Sequence, residues 1–154
     1  MRKTMCRLTP VATSLNNLAG LYEDLGRYEE AEPLYLRSLS IREKVLGTQH
    51  PDVATSLNNL AGLYYRQGRY GEAEPLYLRS LSIREKVLGT EHSHVAQSLN
   101  NLAFLYDSLG RYGEAEPLYR RSLSIREKVL GAEHPLTKSV RKNYRACLNA
   151  QHKS

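Results

Sequence analysis

Histidines return at a fixed spacing in this sequence and are the first residues that could carry chemistry. His50, His92 and His134 lie 42 residues apart, and His94 forms a His-x-His pair with His92. Imidazole nitrogens are common metal ligands, but each must lie about 2 Å from one shared ion. Segments one repeat apart are separated by at least the roughly 8–10 Å between packed helices. We therefore expect loop histidines and no metal site.

Asparagines recur at the same interval and could bind a peptide. Asn17, Asn59 and Asn101 each follow another asparagine. A carboxamide offers both a hydrogen-bond donor and an acceptor, so it can pair with a peptide backbone whatever the side chains of that peptide are. The same amides could instead bond to neighbouring helices and hold them together. The pattern leaves both interpretations open.

Arginines also recur, at positions 42, 84 and 126, inside the apolar arc of a predicted helix. One interpretation is an anion site. In the other, the aliphatic part of each side chain packs on the apolar surface, and the guanidinium reaches the edge of that surface or the carbonyls at the helix C-terminus.

Catalysis is not indicated. The sequence has no paired nucleophile and base, no glycine-rich phosphate loop and no CxxC motif, and we expect no cofactor. The polar residues of the repeated segment occur in triplicate, which suits a scaffold better than one asymmetric catalytic centre. We expect a protein that is not an enzyme.

The element that must position these residues is a repeat of 42 residues. Three copies cover residues 11–52, 53–94 and 95–136, and each opens on the pattern VAxSLNNLAxLY. The first and second copies differ at 7 of 42 positions, and the second and third at 9. Self-similarity at such a period is typical of repeat architectures.

Each copy predicts two helices. In the first copy, apolar residues from Val11 to Leu25 share one face at 100° per residue, and Gly26 ends this helix. A start near Thr9-Pro10 is predicted. The second helix should run from about Tyr28 to Leu46, with Gly47 as its C-cap.

A single hairpin cannot bury both of its apolar faces, so neighbouring hairpins should stack. The sequence therefore predicts an all-α protein with seven helices, in which three antiparallel hairpins precede a C-terminal capping helix over about 136–149. Residues 1–154 would form one solenoid domain.

The spacing of Leu15, Ala19, Tyr22, Gly26 and Tyr28, continued by Ala31, Tyr35 and Leu39, resembles the tetratricopeptide repeat signature. The usual unit has about 34 residues, and the longer unit here is similar to those of kinesin light chain and of many bacterial arrays. The resemblance covers about residues 9–148. It implies a right-handed α-solenoid that binds proteins or extended peptides in a concave groove lined by the first helix of each repeat.

The groove positions implied by the resemblance coincide with a stripe of short polar side chains found from the periodicity. Framework residues repeat between copies, whereas several stripe residues differ. We expect a cationic ligand residue beside the first-copy stripe and an acidic or aromatic one beside the second. The eighteen candidate groove residues, the polar stripe, are Thr13, Asn16, Asn17, Gly20, Glu23, Asp24, Thr55, Asn58, Asn59, Gly62, Tyr65, Arg66, Gln97, Asn100, Asn101, Phe104, Asp107 and Ser108.

Charge and hydropathy exclude other classes of partner. The net charge is +6, but basic residues concentrate in residues 1–10 and 137–154, and the repeats between them are slightly acidic. A basic groove for nucleic acid is therefore not expected. No stretch approaches the roughly 20 apolar residues that span a bilayer. Two cysteines and no signal-peptide pattern favour the cytoplasm.

The two ends of the stack should differ. The first copy has the same apolar arc as the inner copies but no hairpin before it, whereas Arg141 and Arg145 make the last helix polar. We expect the N-terminal face to associate with another copy or with an upstream repeat. A self-assembling repeat module, or a fragment of a longer array, is therefore the alternative to the peptide-binding scaffold.

Overall fold

The computed structural model describes the backbone of residues 2–153 and the side chains of residues 8–153. Within that part of the chain there are seven helices and no strand, which confirms the predicted all-α fold of helix hairpins. None of these helices is both long enough and apolar enough to cross a bilayer. The helices are α1 (Arg2–Asp24), α2 (Tyr28–Leu46), α3 (Pro51–Arg66), α4 (Tyr70–Leu88), α5 (Ser93–Ser108), α6 (Tyr112–Leu130) and α7 (Pro135–Gln151).

Helix α1 begins earlier than the sequence pattern predicted. It starts at Arg2, and Pro10 lies within it. The later copies have a glycine four residues before the helix start, as Gly47 precedes Pro51, and this glycine ends the preceding helix. Residues 1–9 contain no glycine and several good helix formers, so nothing interrupts the helix before Pro10.

Each hairpin turns on a glycine with positive φ. Gly26 has φ +73°, and the next amide, Arg27 N–H, donates to the carbonyl of Tyr22 at 2.8 Å. This is the bond pattern that closes a helix with a left-handed residue. The Arg27 guanidinium lies 4.6 Å from the centre of the Tyr22 ring. The turn is repeated in the later hairpins, so the sequence identified the turn residue correctly.

The repeated histidines cap helices. The Nδ1 atom of His50 accepts the backbone N–H of Asp52 at 3.1 Å, at the start of α3. His92 and His134 do the same at the starts of α5 and α7. A cap satisfies one of the free amides at a helix N-terminus. The spacing of the histidines is therefore explained by the spacing of the helices they begin.

The chain forms two compact units. The first, Met1–Ile83, contains α1, α2, α3 and most of α4. Its core includes Val53, Leu57 and Ile83, with Leu39 of α2 packed against them. The hydroxyl of Ser38 donates to the carbonyl of Ala12 at 2.7 Å inside the first hairpin. Small residues at this contact allow the two helices to approach closely.

The second unit, Arg84–Ser154, contains the rest of α4 with α5, α6 and α7. Leu99, Leu105 and Ile125 are almost completely buried in it. Ser122 donates to the carbonyl of Ala96 at 2.7 Å, which reproduces the contact of the first hairpin. The hairpin of α5 and α6 therefore follows the same local packing as that of α1 and α2.

Candidate functional site

All eighteen residues of the polar stripe lie on the first helix of a hairpin, namely α1, α3 or α5. Their accessibility is not uniform. Seven are exposed, ten are partly buried and one is buried. The exposed ones are Thr13, Asn17, Asp24, Arg66, Gln97, Phe104 and Ser108.

Asn58 is the exception within the stripe. It is only 7% exposed, because its position borders the buried face of α3 that holds Leu57 and Ala61. A side chain so enclosed has little surface to offer a ligand. Asn58 therefore has less surface available than the other stripe residues, and its role in the groove stays a prediction.

The first unit contains a shallow depression of about 460 Å³ over the polar stripe of α1. Tyr35, on α2, lies at its base, and this residue was not identified from the sequence. A Cβ atom built on Gly20 would lie 3.6 Å from the Tyr35 hydroxyl, so this glycine lies directly beside that hydroxyl. The pairing recurs between Gly62 and Tyr77. The residues lining the depression are Asn16, Asn17, Gly20, Leu21, Glu23, Asp24, Tyr35 and Asn59.

Glu23 is already paired within the chain. Its carboxylate accepts the Tyr35 hydroxyl at 2.7 Å and lies 3.1 Å from Nε of Arg66. Burial, together with this hydrogen bond to a carboxylate, raises the pKa of Tyr35 well above its usual range. The charges expected to recruit ligand residues, those of Glu23 and Arg66, therefore neutralise each other. Asp24 is the exposed carboxylate at this end of the stripe.

The asparagines are divided between the two roles that the sequence left open. The Nδ2 of Asn59 donates to Oδ1 of Asn16 at 3.2 Å, which links α3 to α1. Asn17 is exposed, and no hydrogen bond joins its side chain to any described residue. Holding the helices together is thus one role of Asn59, whereas the Asn17 carboxamide is accessible to a ligand.

The polar stripe of α5, in the second unit, has a different character. Phe104 is 41% exposed and takes the place of the glycines at positions 20 and 62. Burial raises the pKa of Asp107, and the neighbouring Tyr119 partly opposes that shift. The stripe therefore offers an exposed aromatic ring and a partly buried carboxyl group.

Two of the three repeated arginines, Arg42 and Arg84, bond to the helix that follows them; the sequence had left open an anion site or a contact with the carbonyls at the end of their own helix. Arg42 donates through Nη1 to the Asp52 carbonyl at 3.1 Å and to the Ser56 hydroxyl at 2.9 Å. Arg84 makes the same pair of bonds to His94 and Ser98. These two guanidinium groups therefore join successive helices.

The apolar face of α1 is open to solvent where the equivalent face of α3 is covered. Leu18 is 41% exposed, but its counterpart Leu60 is 2% exposed. Leu21 is 61% exposed, whereas Leu63 is fully buried. We call the exposed side chains of Val11, Leu18, Leu21 and Leu25 the N-terminal face.

Comparison with a family model gives matches along nearly the whole chain. Three overlapping windows, residues 10–86, 52–128 and 94–153, match a model described as tetratricopeptide repeat. No curated protein sequence matched the chain.

Solved structures with the same architecture were also found. A putative kinesin light chain from Podosopora anserina, with nearly identical TPR-like repeats, has a TM-score of 0.86 and 28% identity over 94% of this chain and 68% of its own. BtubC (BKLC) from P. vanneervenii has a TM-score of 0.84 and 26% identity over 92% of this chain. The chain spans only 56% of the length of BtubC. The first TPR of Spaghetti (RPAP3), bound to the HSP90 peptide SRMEEVD, has a TM-score of 0.68 and 16% identity over 94% of this chain and 95% of its own, a likeness in fold alone.

Proposed function

Because this chain belongs to the tetratricopeptide repeat family, we propose that it is a non-catalytic scaffold that binds an extended peptide on the polar stripe. The observation that carries this proposal is the accessible carboxamide of Asn17 beside Tyr35 and Asn59 in one depression. The Asn17 carboxamide offers both a donor and an acceptor to a peptide backbone. A protein of the same fold holds a bound peptide, which supports this mode of use.

The chemistry of the stripe favours some peptides over others. Asp24 is exposed at one end of the α1 stripe and favours a cationic ligand residue there. The well-known carboxylate clamp of the family needs Lys or Arg at positions that Asn16, Gln97 and Asn101 occupy here. Peptides that depend on such a clamp, including chaperone C-terminal tails, are therefore poor candidates.

Replacing Asn17 by Ala is expected to lower the affinity for a peptide selected from a random library by about threefold to tenfold, since one hydrogen bond contributes a net stabilisation of about 0.5–1.5 kcal/mol. Asn59→Ala should weaken it as well and should also lower the stability of the protein, because Asn59 bonds to Asn16. Isothermal titration calorimetry measures the affinities.

Lys44→Ala is the matched control, because Lys44 is exposed on α2, away from the stripe. Its affinity for the selected peptide should equal that of the wild type. If Asn17→Ala and Asn59→Ala both bind like Lys44→Ala, the polar stripe is not the binding surface.

Self-association is the second candidate function, and the N-terminal face favours it. Its apolar side chains are exposed on α1, whereas the last helix presents Lys138, Lys142 and Arg145 around a surface depression. Exposed apolar patches on the order of several hundred Å² mark association sites. We propose that two copies pair through their N-terminal faces, because such a two-fold arrangement is closed. Head-to-tail stacking is less favourable, because it would place the basic surface of the last helix against the apolar N-terminal face.

We propose a cytoplasmic location, because one cysteine is an unpaired thiol. Cys147 is free and fully buried, and burial raises its pKa to about 11. A buried thiol of this kind is unreactive. Unpaired cysteines are typical of reducing compartments.

A further inference from the structure

Arg126 is a buried guanidinium that lacks the partners of its counterparts. It is 7% exposed, and its Nε atom, like those of Arg42 and Arg84, is buried without a hydrogen-bond acceptor. No hydrogen bond or ion pair joins its guanidinium to any residue from 8 to 153. Arg84 and Arg42, one and two repeats earlier, each donate to a carbonyl and to a serine hydroxyl. Burial without a compensating carboxylate lowers the pKa of Arg126.

The missing hydroxyl has a cause in the sequence. The acceptors of Arg42 and Arg84 are Ser56 and Ser98, each fourteen residues further along the chain. The residue fourteen positions after Arg126 is Val140, which is 1% exposed. Valine has no acceptor, so the last repeat keeps the cation and loses its partner.

Arg126 is one of the residues that line a surface depression of about 330 Å³, and this depression belongs entirely to the second unit. The Oε1 atom of Gln97 accepts from Arg84 at 3.1 Å, so the group that Gln97 has left to offer is its Nε2 donor. No lining residue is acidic. The lining residues are Ser93, His94, Gln97, Arg126, Leu130 and Leu136.

We propose that this depression is a carboxylate site in which Arg126 binds an acidic side chain or the C-terminal carboxylate of a peptide. The inference rests on the proposed peptide-binding function and adds a specificity to it. A guanidinium presents two parallel N–H donors that match the two oxygens of a carboxylate. An oxygen of the bound carboxylate would accept from Arg126, as the hydroxyls of Ser56 and Ser98 accept from the arginines of the earlier repeats. Gln97, which lines the depression, is also an exposed residue of the polar stripe on α5.

A carboxylate suits the site better than a phosphate does. Arg126 is its one permanent cation among the lining residues, and a phosphate carries nearly two negative charges at neutral pH. His94 does not supply the second charge, because burial and the neighbouring Arg84 and His92 lower its pKa. A single planar cation therefore matches a singly charged, planar anion.

The test uses N-acetylglycine as a carboxylate probe and N-acetylglycinamide as its uncharged match, at constant ionic strength. The arginine Nε–H resonances of the full chain, labelled with ¹⁵N, are followed by NMR. The Arg126 resonance should shift saturably when N-acetylglycine is added, and N-acetylglycinamide should bind at least tenfold less tightly. The Arg42 resonance, which belongs to the first unit, should stay in place as the internal control. Inorganic phosphate should bind more weakly than N-acetylglycine.

Two variants complete the test. Arg126→Gln should weaken binding of N-acetylglycine at least tenfold, and Val140→Ser should weaken it several-fold by giving Arg126 the hydroxyl of the other repeats. The proposal is overturned if the Arg42 and Arg126 resonances respond alike, if phosphate binds more tightly than N-acetylglycine, or if Val140→Ser leaves the affinity unchanged. N-acetylglycine is too short to need Asn17 or Asn59, so its binding at Arg126 stands or fails separately from binding of longer peptides to the polar stripe.

Discussion

Replacing Leu60 by Ala should lower the free energy of unfolding by about 2–5 kcal/mol, the cost of deleting buried methyl groups and leaving a cavity. Leu60 is 2% exposed on α3, and this helix packs against α2 of the preceding hairpin. Urea unfolding followed by circular dichroism measures the loss.

Leu18→Ala makes the matched comparison, because Leu18 occupies the same position one repeat earlier and is 41% exposed. Its loss should be clearly smaller than that of Leu60→Ala when both are measured at a protein concentration low enough to prevent association. Equal losses would mean that α1 is covered as α3 is, and that no open N-terminal face exists.

The wild-type protein should dimerise in the micromolar range, and Leu18→Lys should abolish the dimer. An interaction of about −8 kcal/mol corresponds to a dissociation constant of 1 µM, and a buried, unpaired lysine costs several kcal/mol of such an interaction. Sedimentation equilibrium over about 1–500 µM, a range that brackets this strength, measures the association.

Leu36→Lys is the control for this experiment. Leu36 is 44% exposed on α2, and the third copy has Arg120 at the equivalent position, so a cation is tolerated there. The dimer should persist in Leu36→Lys. A dimer that also persists in Leu18→Lys, or a wild type that stays monomeric throughout, would remove the association proposal.

The sequence predicted what depends on local signals. The bounds of α2 at Tyr28 and Leu46 follow from Gly26, Gly47 and one apolar face, and the structure has the same bounds. The predicted start of α1, near Thr9-Pro10, was too late by at least seven residues. Proline is common in the first turn of a helix, but Pro10 does not prevent the helix from beginning before it. The presence of a helix was thus easier to predict than its first residue.

The features of the candidate site that were missed all depend on contacts between helices. The ion pair between Glu23 and Arg66 joins α1 to α3, and no periodicity within one helix shows it. Tyr35 of α2 lines the depression, and its hydroxyl lies 3.6 Å from the point where a Cβ atom on Gly20 would be. A comparison of positions 20 and 35 across the copies could have found this pair, since a glycine recurs opposite a tyrosine in the first two.

The central claim, that a peptide binds on the polar stripe, is tested most directly by mapping where a selected peptide contacts the protein. In a ¹⁵N-labelled sample, the side-chain amide resonances of Asn17 and Asn59 should shift in a saturable manner when the peptide is added. The backbone resonances of Arg37 and Lys44, on the outer side of α2, should remain unchanged. Shifts confined to α2, with Asn17 and Asn59 unaffected, would contradict the proposed binding surface.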